Sequence, residues 1–283
     1  MKKEFIVCYL YWKAVLSEYL FVEKPLLSQL ASMGWQVVEQ PSGIPTDPTK
    51  SLRVSFREVV IKAEFIKSVS AINLHDGKPW LTTEQLEGLY EDFTDFGVRD
   101  LLENNQEFSN RLAKWQVDEN VITGEQNPVV KIIDFENWQA NSFIAINQYR
   151  LDTPGGVKEF IIPDIVLLVN GMPLVVIECK DVNSFTSDPI HQAIEQLRRY
   201  ADIREDGNSQ LREGEPKLFY TNQLMVASYG EDAKFGTITS TEDYYFNWKT
   251  IYPDETPYTD SEADAKTKSV IQQHRAQETL VQG

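Results

Sequence analysis

Positive charge, cysteine, histidine and long apolar runs are all scarce in this chain, and each shortage narrows what it can do. Lysine and arginine number 27 against 43 aspartates and glutamates, for a formal net charge of -16. Affinity for nucleic-acid phosphates comes chiefly from Lys and Arg displacing counterions, so this balance argues against a simple nucleic-acid binder. If DNA is a partner, either the acidic residues lie away from the site and in the tail, or other domains or subunits hold the DNA. The two cysteines, Cys8 and Cys179, stand far apart in apolar surroundings, which suits free thiols in a reducing compartment better than a disulfide framework. No pair among His75, His191 and His274 has metal-ligand spacing, which argues against a zinc site. No Gly-x-Ser-x-Gly element supports a serine nucleophile, and no Gly-x-x-x-x-Gly-Lys-Ser/Thr phosphate loop is present. No apolar run approaches the roughly 18 residues of a bilayer crossing, and no small-residue cleavage site follows Met1, Lys2 and Lys3. A cytoplasmic protein with no membrane partner is expected.

What is present is enough to bury a full core: 283 residues with 42% hydrophobic and 11% aromatic content make one large domain or two modest ones. Residues 14–33 carry Leu16, Tyr19, Leu20, Leu26, Leu27 and Leu30 at helical spacing, with Pro25 dividing two helices and Gly34 ending the pattern. A short strand over 35–38, a proline-rich loop over 40–49, a helix over 56–72 and helices over 82–102 capped at Thr82 or Thr83 follow. Near Trp115 the pattern changes to β-branched and aromatic runs, predicting strands over 129–135, 143–151, 160–169 and 174–179. Asp188-Pro189 opens a helix reaching to about residue 203, and strands resume over 217–220 and 224–228. From Thr259 the chain is polar and acid-rich, a tail or a linker.

Residues 160–180 read as two apolar strands around an Asn170-Gly171 turn signal. A strict two-residue turn sets Asp164 opposite Ile177, whereas a three-residue loop through Met172 sets it opposite Glu178. A longer or bulged connection is therefore expected, placing the two carboxylate Cβ atoms roughly 5 Å apart with Lys180 on the same face. Ionisable groups inside apolar strands are costly unless paired or bound to a cation. Two adjacent carboxylates suit a hard divalent ion such as magnesium, which can polarise a phosphodiester while Lys180 offsets charge developing on its oxygens. The alternative is a buried ion pair between Lys180 and Asp164 or Glu178. On the following helix Gln192, Gln196 and Tyr200 form a row four residues apart, readable as site support or as an ordinary amphipathic boundary. Arg198, Arg199 and Arg204 form the densest basic cluster, suited to phosphates or to a solvated face.

Pro163-Asp164, the run from Val169 to Glu178-Cys179-Lys180, and Gln196-Leu197-Arg198-Arg199-Tyr200 together resemble the N-terminal nuclease domain of the restriction (motor and cleavage) subunit of type I restriction-modification enzymes. Further similar segments are 23–38 with Gly34-Trp35, Leu102 to Asn105, Ile133-Asp134-Phe135, 141–148, 218–223, 236–239 and Trp248-Lys249, covering most of residues 14–250. The resemblance implies an α/β (α+β) fold of the restriction-endonuclease-like (RecB-family) type, a mixed β-sheet flanked by helices. It implies one endonuclease domain over 1–258, mostly helical to 113 with the catalytic sheet core over 114–258, then a tail or linker over 259–283 toward a motor domain. It further implies Asp164, Glu178 and the Cys179 carbonyl as magnesium ligands, Lys180 as the catalytic lysine, Gln196 and Tyr200 as a supporting Gln-x-x-x-Tyr motif, and Glu23 as the acidic residue of the first helix. The sequence departs from the family at Ile162, where arginine is frequent, and at Cys179, where leucine is common; neither changes a metal-binding side chain. The partners implied are duplex DNA, a motor domain in cis that supplies ATP dependence, and methyltransferase and specificity subunits.

Three functions compete at this point: the cleavage module of such an assembly, a stand-alone repair or resolvase-like nuclease, and a non-catalytic docking module that keeps the carboxylates for structure.

Overall fold

The apolar runs between residues 143 and 180 form the centre of a mixed sheet, and the ionisable residues that flank them gather at one end of it. The computed structural model describes residues 18–41, 43–97, 100–181, 188–203, 212–229 and 232–248; expectations for Cys8, Arg204, His274 and the segment from 259 lie outside the described residues. Among these residues the sheet has seven strands: β1 (Gln36–Val38), β2 (Phe143–Asn147), β3 (Ile165–Val169), β4 (Met172–Lys180), β5 (Leu224–Tyr229), β6 (Asp232–Gly236) and β7 (Phe246–Asn247). They lie side by side in that order. The β1/β2 and β4/β5 pairs are parallel and the others antiparallel.

Helices cover both faces, which is why β3 and the stretches Phe143 to Ile146 of β2 and Met172 to Ile177 of β4 are continuously apolar rather than alternating. Ile165, Leu167 and Val169 pack into a core with Leu27 of α1 (Lys24–Ser32), Phe65 of α2 (Lys62–Ile72), Phe93 of α3 (Thr83–Thr94) and Phe108 of α4 (Leu101–Lys114). Val166, Leu168 and Val176 face the other way, into a core with Ile194 and Leu197 of α5 (Pro189–Tyr200) and with Phe219. The caps anticipated at two helices are formed: Thr82 and Gln85 make a reciprocal capping box at α3, and the Asp188 carboxylate accepts from the His191 N–H at α5, with Pro189 in the first turn.

Several elements differ from the periodicity. Pro25 does not divide the first helix: Glu23 and Lys24 are both right-handed helical, and a π-helical turn (Tyr19–Glu23) runs straight into α1. A proline ring clashes with the carbonyl four residues back, and a wider turn, closed by the Lys24 N–H on the Tyr19 carbonyl, accommodates it. The helix expected over 56–72 begins only at Lys62, because Ile61 is extended and donates its N–H to the Gly171 carbonyl. Glu58 then accepts from the N–H groups of Val54 and Lys62. Residues 129–135 form no strand beyond a bridge at Val129. Val130, Ile132 and Ile133 are core while Val129 and Phe135 are exposed, and asparagine side chains serve the backbone: Asn73 bonds both the N–H and C=O of Lys131, and Asn170 bonds the Ile132 carbonyl. The run over 143–151 breaks at Gln148, in the left-handed region at φ 47. That over 160–169 breaks at Ile162-Pro163, so that Phe160–Ile161 pairs separately with Leu151–Asp152. Residues 217–220 belong to a 3-10 turn opened by Pro216 rather than a strand. Strands β6 and β7 lacked a strong apolar signal.

Candidate active site

The hairpin sets the site, and it reaches the required register by a route the turn signal does not reveal. Asn170 and Gly171 both have positive φ, 49 and 79, and Val169 pairs with Met172 across them, so the connection has two residues and not the three of a loop through Met172. The correction is made two residues on. Leu168 pairs with Pro173 but Leu167 with Val175, which leaves Leu174 as the extra residue of a β-bulge. The bulge leaves backbone groups outside the ladder, and residues 221–223 take them up: Thr221 Oγ1 donates to the Pro173 carbonyl, while Asn222 Nδ2 and the Gln223 N–H donate to that of Leu174. Asn105 in turn holds the carbonyls of Phe219, Tyr220 and Asn222. Beyond the bulge Ile165 faces Ile177, and one step further Asp164 faces Glu178.

The side chains converge there. Asp164 Oδ2 accepts from the Cys179 N–H at 2.7 Å. Lys180 Nζ lies 2.6 Å from Glu178 Oε1 and 2.9 Å from the Cys179 carbonyl oxygen. Glu23 enters from the π-helical turn, and Gln148 Nε2 joins it to Asp164, at 3.1 Å from Glu23 Oε1 and 3.5 Å from Asp164 Oδ1. Glu178, Glu23 and Asp164 are 1%, 3% and 7% exposed. Tyr200, on α5, donates to the Ile162 carbonyl at 3.1 Å and receives from Gln196 at 2.7 Å. The pair thus grips the backbone two residues before Asp164.

Burial dominates the electrostatics. Burial, then the Asp164 charge, raises Glu18 to about 7 and Glu23 to about 8. The same two causes hold Glu178 well above the usual carboxylate range. Asp164 is raised by burial against the opposing pull of Lys180. Burial alone would lower Lys180, but Glu178 and Asp164 outweigh it and keep the ammonium protonated. Burial pushes the Cys179 thiol up, which disfavours the reactive thiolate, and the residue meets the site through its backbone, the N–H to Asp164 and the carbonyl to Lys180.

These donors fit a hard divalent cation. Carboxylate and carbonyl oxygens are the ligands magnesium takes, and among the described residues the buried Glu178 Oε2 has no hydrogen-bond partner, a state that costs free energy unless a cation or donor meets it.

Of the other candidates, Arg198 donates to the Ser240 carbonyl at 2.6 Å and Arg199 is exposed. His191 pairs with Glu242 at 2.5 Å, a surface role. Two residues escaped the sequence reading. Gln148 bridges two carboxylates from the break after β2. Glu18, five residues before Glu23, sits with one oxygen within 4.8 Å of ligand atoms of both Glu23 and Asp164. In an α-helix that spacing turns two side chains roughly 140° apart, so a helical reading separates them; a proline two residues after Glu23 was the available signal.

The chain is 29% identical over 246 residues to the putative type I restriction enzyme MjaIXP endonuclease subunit of Methanocaldococcus jannaschii, covering 86% of this chain and 21% of that protein. It is 29% identical over 231 residues to the type I restriction enzyme HindI endonuclease subunit of Haemophilus influenzae, covering 81% of this chain and 20% of that one. The chain therefore spans about a fifth of the length of the curated relatives it matches. The family described as type I restriction enzyme R protein N terminus matches residues 15–244, and the chain belongs to that family.

Proposed function

We propose that this chain is the DNA-cleaving module of a type I restriction enzyme R subunit, with a restriction-endonuclease-like fold and a magnesium-dependent site that hydrolyses phosphodiester bonds without reading sequence. The observation that carries this reading is the buried end of the β3–β4 hairpin. There Asp164, Glu178, the Cys179 carbonyl and Lys180 meet on two otherwise apolar strands, with a Glu178 oxygen left unpartnered among the described residues. Asp164, Glu178 and the Cys179 carbonyl would hold the cation. Magnesium, when bound, supplies Lewis acidity to the phosphodiester and lowers the pKa of a coordinated water. Lys180 places its ammonium where negative charge develops on the phosphorus oxygens, and its double attachment to Glu178 and Cys179 fixes its position before substrate arrives. Gln196 and Tyr200 position the strand that carries Asp164.

Sequence recognition, ATP use and most of the DNA grip would reside in a motor domain in cis and in methyltransferase and specificity subunits, consistent with a net charge of -16. The test uses the assembled enzyme. Asp164→Ala and Lys180→Ala should each abolish double-strand cleavage while ATP-driven translocation continues, and chelation of divalent ions should abolish cleavage by the unaltered enzyme. Cutting retained by both variants would defeat the reading.

A further inference from the structure

One residue beside the hairpin site has no task in the chemistry above: Gln148, at which the chain leaves β2. We infer that Gln148 is a positioning residue, which fixes Asp164 and Glu23 in the orientation a cation requires before any cation arrives. The inference rests on the proposed nuclease reading and adds to it a residue that acts through two carboxylates.

Three observations carry it. The backbone of Gln148 lies in the left-handed region at φ 47, where a residue with a long side chain is uncommon and carries a conformational cost. Its neighbours hold it there from both sides. Asn147 pairs with Ile165 in the sheet and accepts the Gln40 N–H at 2.7 Å. Tyr149 is fully buried, donates its hydroxyl to the Val59 carbonyl at 3.1 Å, and gives its N–H to the Pro163 carbonyl at 2.9 Å. Between these anchors Gln148 meets the site through backbone and side chain alike. Its N–H donates to the Asp164 carbonyl at 2.7 Å, while Nε2 lies 3.1 and 3.2 Å from the two Glu23 oxygens and 3.5 Å from Asp164 Oδ1.

The residue type suits the place. Ionised carboxylates only accept, so a group shared between two of them must donate, and a side-chain amide offers two hydrogens while remaining neutral. A lysine or arginine would also donate, but its fixed charge would repel the cation that Asp164 and Glu178 await. Asp164 Oδ2 is already held by the Cys179 N–H at 2.7 Å, so with Oδ1 facing Gln148 the plane of the carboxylate is fixed from both edges. Without the amide, the buried Glu23 and Asp164 would face each other across the space it had filled, and like charges would turn them apart. Removing a group that orients metal ligands in this way costs about 10- to 100-fold in metal affinity.

Two substitutions separate the amide from the backbone that carries it. Glycine adopts a positive φ without strain and asparagine tolerates one, so Gln148→Gly removes the amide and Gln148→Asn shortens its arm by one methylene, each with the turn kept. Manganese titration of the full chain, followed by electron paramagnetic resonance, should show affinity at the hairpin site falling by about 10- to 100-fold for Gln148→Gly. Gln148→Asn, whose amide stops short of Glu23, should lose affinity as well. The urea midpoints of both variants should stay at or above that of the unaltered chain, because the strained backbone is relieved. A purely structural residue would behave in the opposite way, lowering the midpoint. Manganese affinity unchanged in Gln148→Gly, or reduced only together with the urea midpoint, would overturn the positioning role and leave the nuclease reading standing. No manganese bound by the unaltered chain would overturn both.

Discussion

Gly171 stands where no side chain fits. A Cβ there would lie 2.7 Å from the Ile61 carbonyl oxygen and 2.8 Å from the Phe65 nitrogen, at φ +79, so the hairpin turn is seated against the start of α2. Gly171→Ala is expected to cost about 3 kcal/mol, from the left-handed backbone and displaced helix together. Gly155→Ala, at φ +82 but with nothing within 4 Å, should cost only about 1 kcal/mol. Urea denaturation of both variants checks the pair, and equal losses would show that the close approach is unimportant. Tyr200 offers a second test. Its hydroxyl meets the Ile162 carbonyl within the protein, so Tyr200→Phe should lower stability by about 1 kcal/mol and reduce kcat for cleavage with KM for DNA unchanged. A raised KM with unaltered kcat would assign the hydroxyl to DNA contact instead. The residues that define the hairpin site were legible because charge inside an apolar strand is costly and therefore informative. Arg53 was not: it is 2% exposed, hydrogen-bonded to Ser51 and Glu58, and stacked 3.8 Å from the ring centre of Tyr149, a partner remote in sequence.

Two local irregularities, the bulge at Leu174 and the π-turn before Pro25, do what regular elements would not. Without the bulge the two-residue turn would set Asp164 against Ile177, because a one-residue slip carries a strand's side chains to the other face. Without the π-turn Glu18 would point away from Glu23. Pro25→Ala removes the clash that the wide turn accommodates, and the chain should then relax toward a regular α-helix. Expected are a stability change within about 1 kcal/mol and a rotation of Glu18 away from Glu23; a variant structure that keeps the two side chains together would show that Pro25 is not what maintains the turn. Helix caps and long apolar strands were readable from local chemistry. The non-helical stretch before Lys62 and the non-strand over 129–135 were not, since their backbones are served by Gly171, Asn73 and Asn170, partners remote in sequence.

As a body the chain is acidic, and this sets its behaviour toward both DNA and protons. By itself it should bind duplex DNA weakly, with a log–log salt slope of about -2 or shallower if it neutralises only two phosphates; a steep slope in a fluorescence-anisotropy salt series would mean that it carries its own DNA grip. Acid stability turns on groups such as Asp134. Burial would raise it, but the N–H groups of Asn137 and Glu136 and the Lys131 ammonium hold it below its ordinary range. A depressed carboxyl stabilises fully above its unfolded pKa, about 3.9, and the contribution fades as pH falls through the lower folded value. Asp134→Asn should therefore flatten the loss of thermal stability on acidification below about pH 4, and an unchanged acid limb in a pH-resolved melting series would reject the assignment. From residue order alone came the continuous apolar strands, the capped helices, the hairpin and the three groups Asp164, Glu178 and Lys180, because hydrophobic period, cap chemistry and the cost of buried charge act over a few neighbouring residues. The route to that register, a two-residue turn with the bulge at Leu174 behind it, and the arrival of Glu18 and Gln148 beside the site came from the folded chain, because a bulge and a widened helical turn are stabilised by hydrogen-bond partners and packing contributed from far along the sequence.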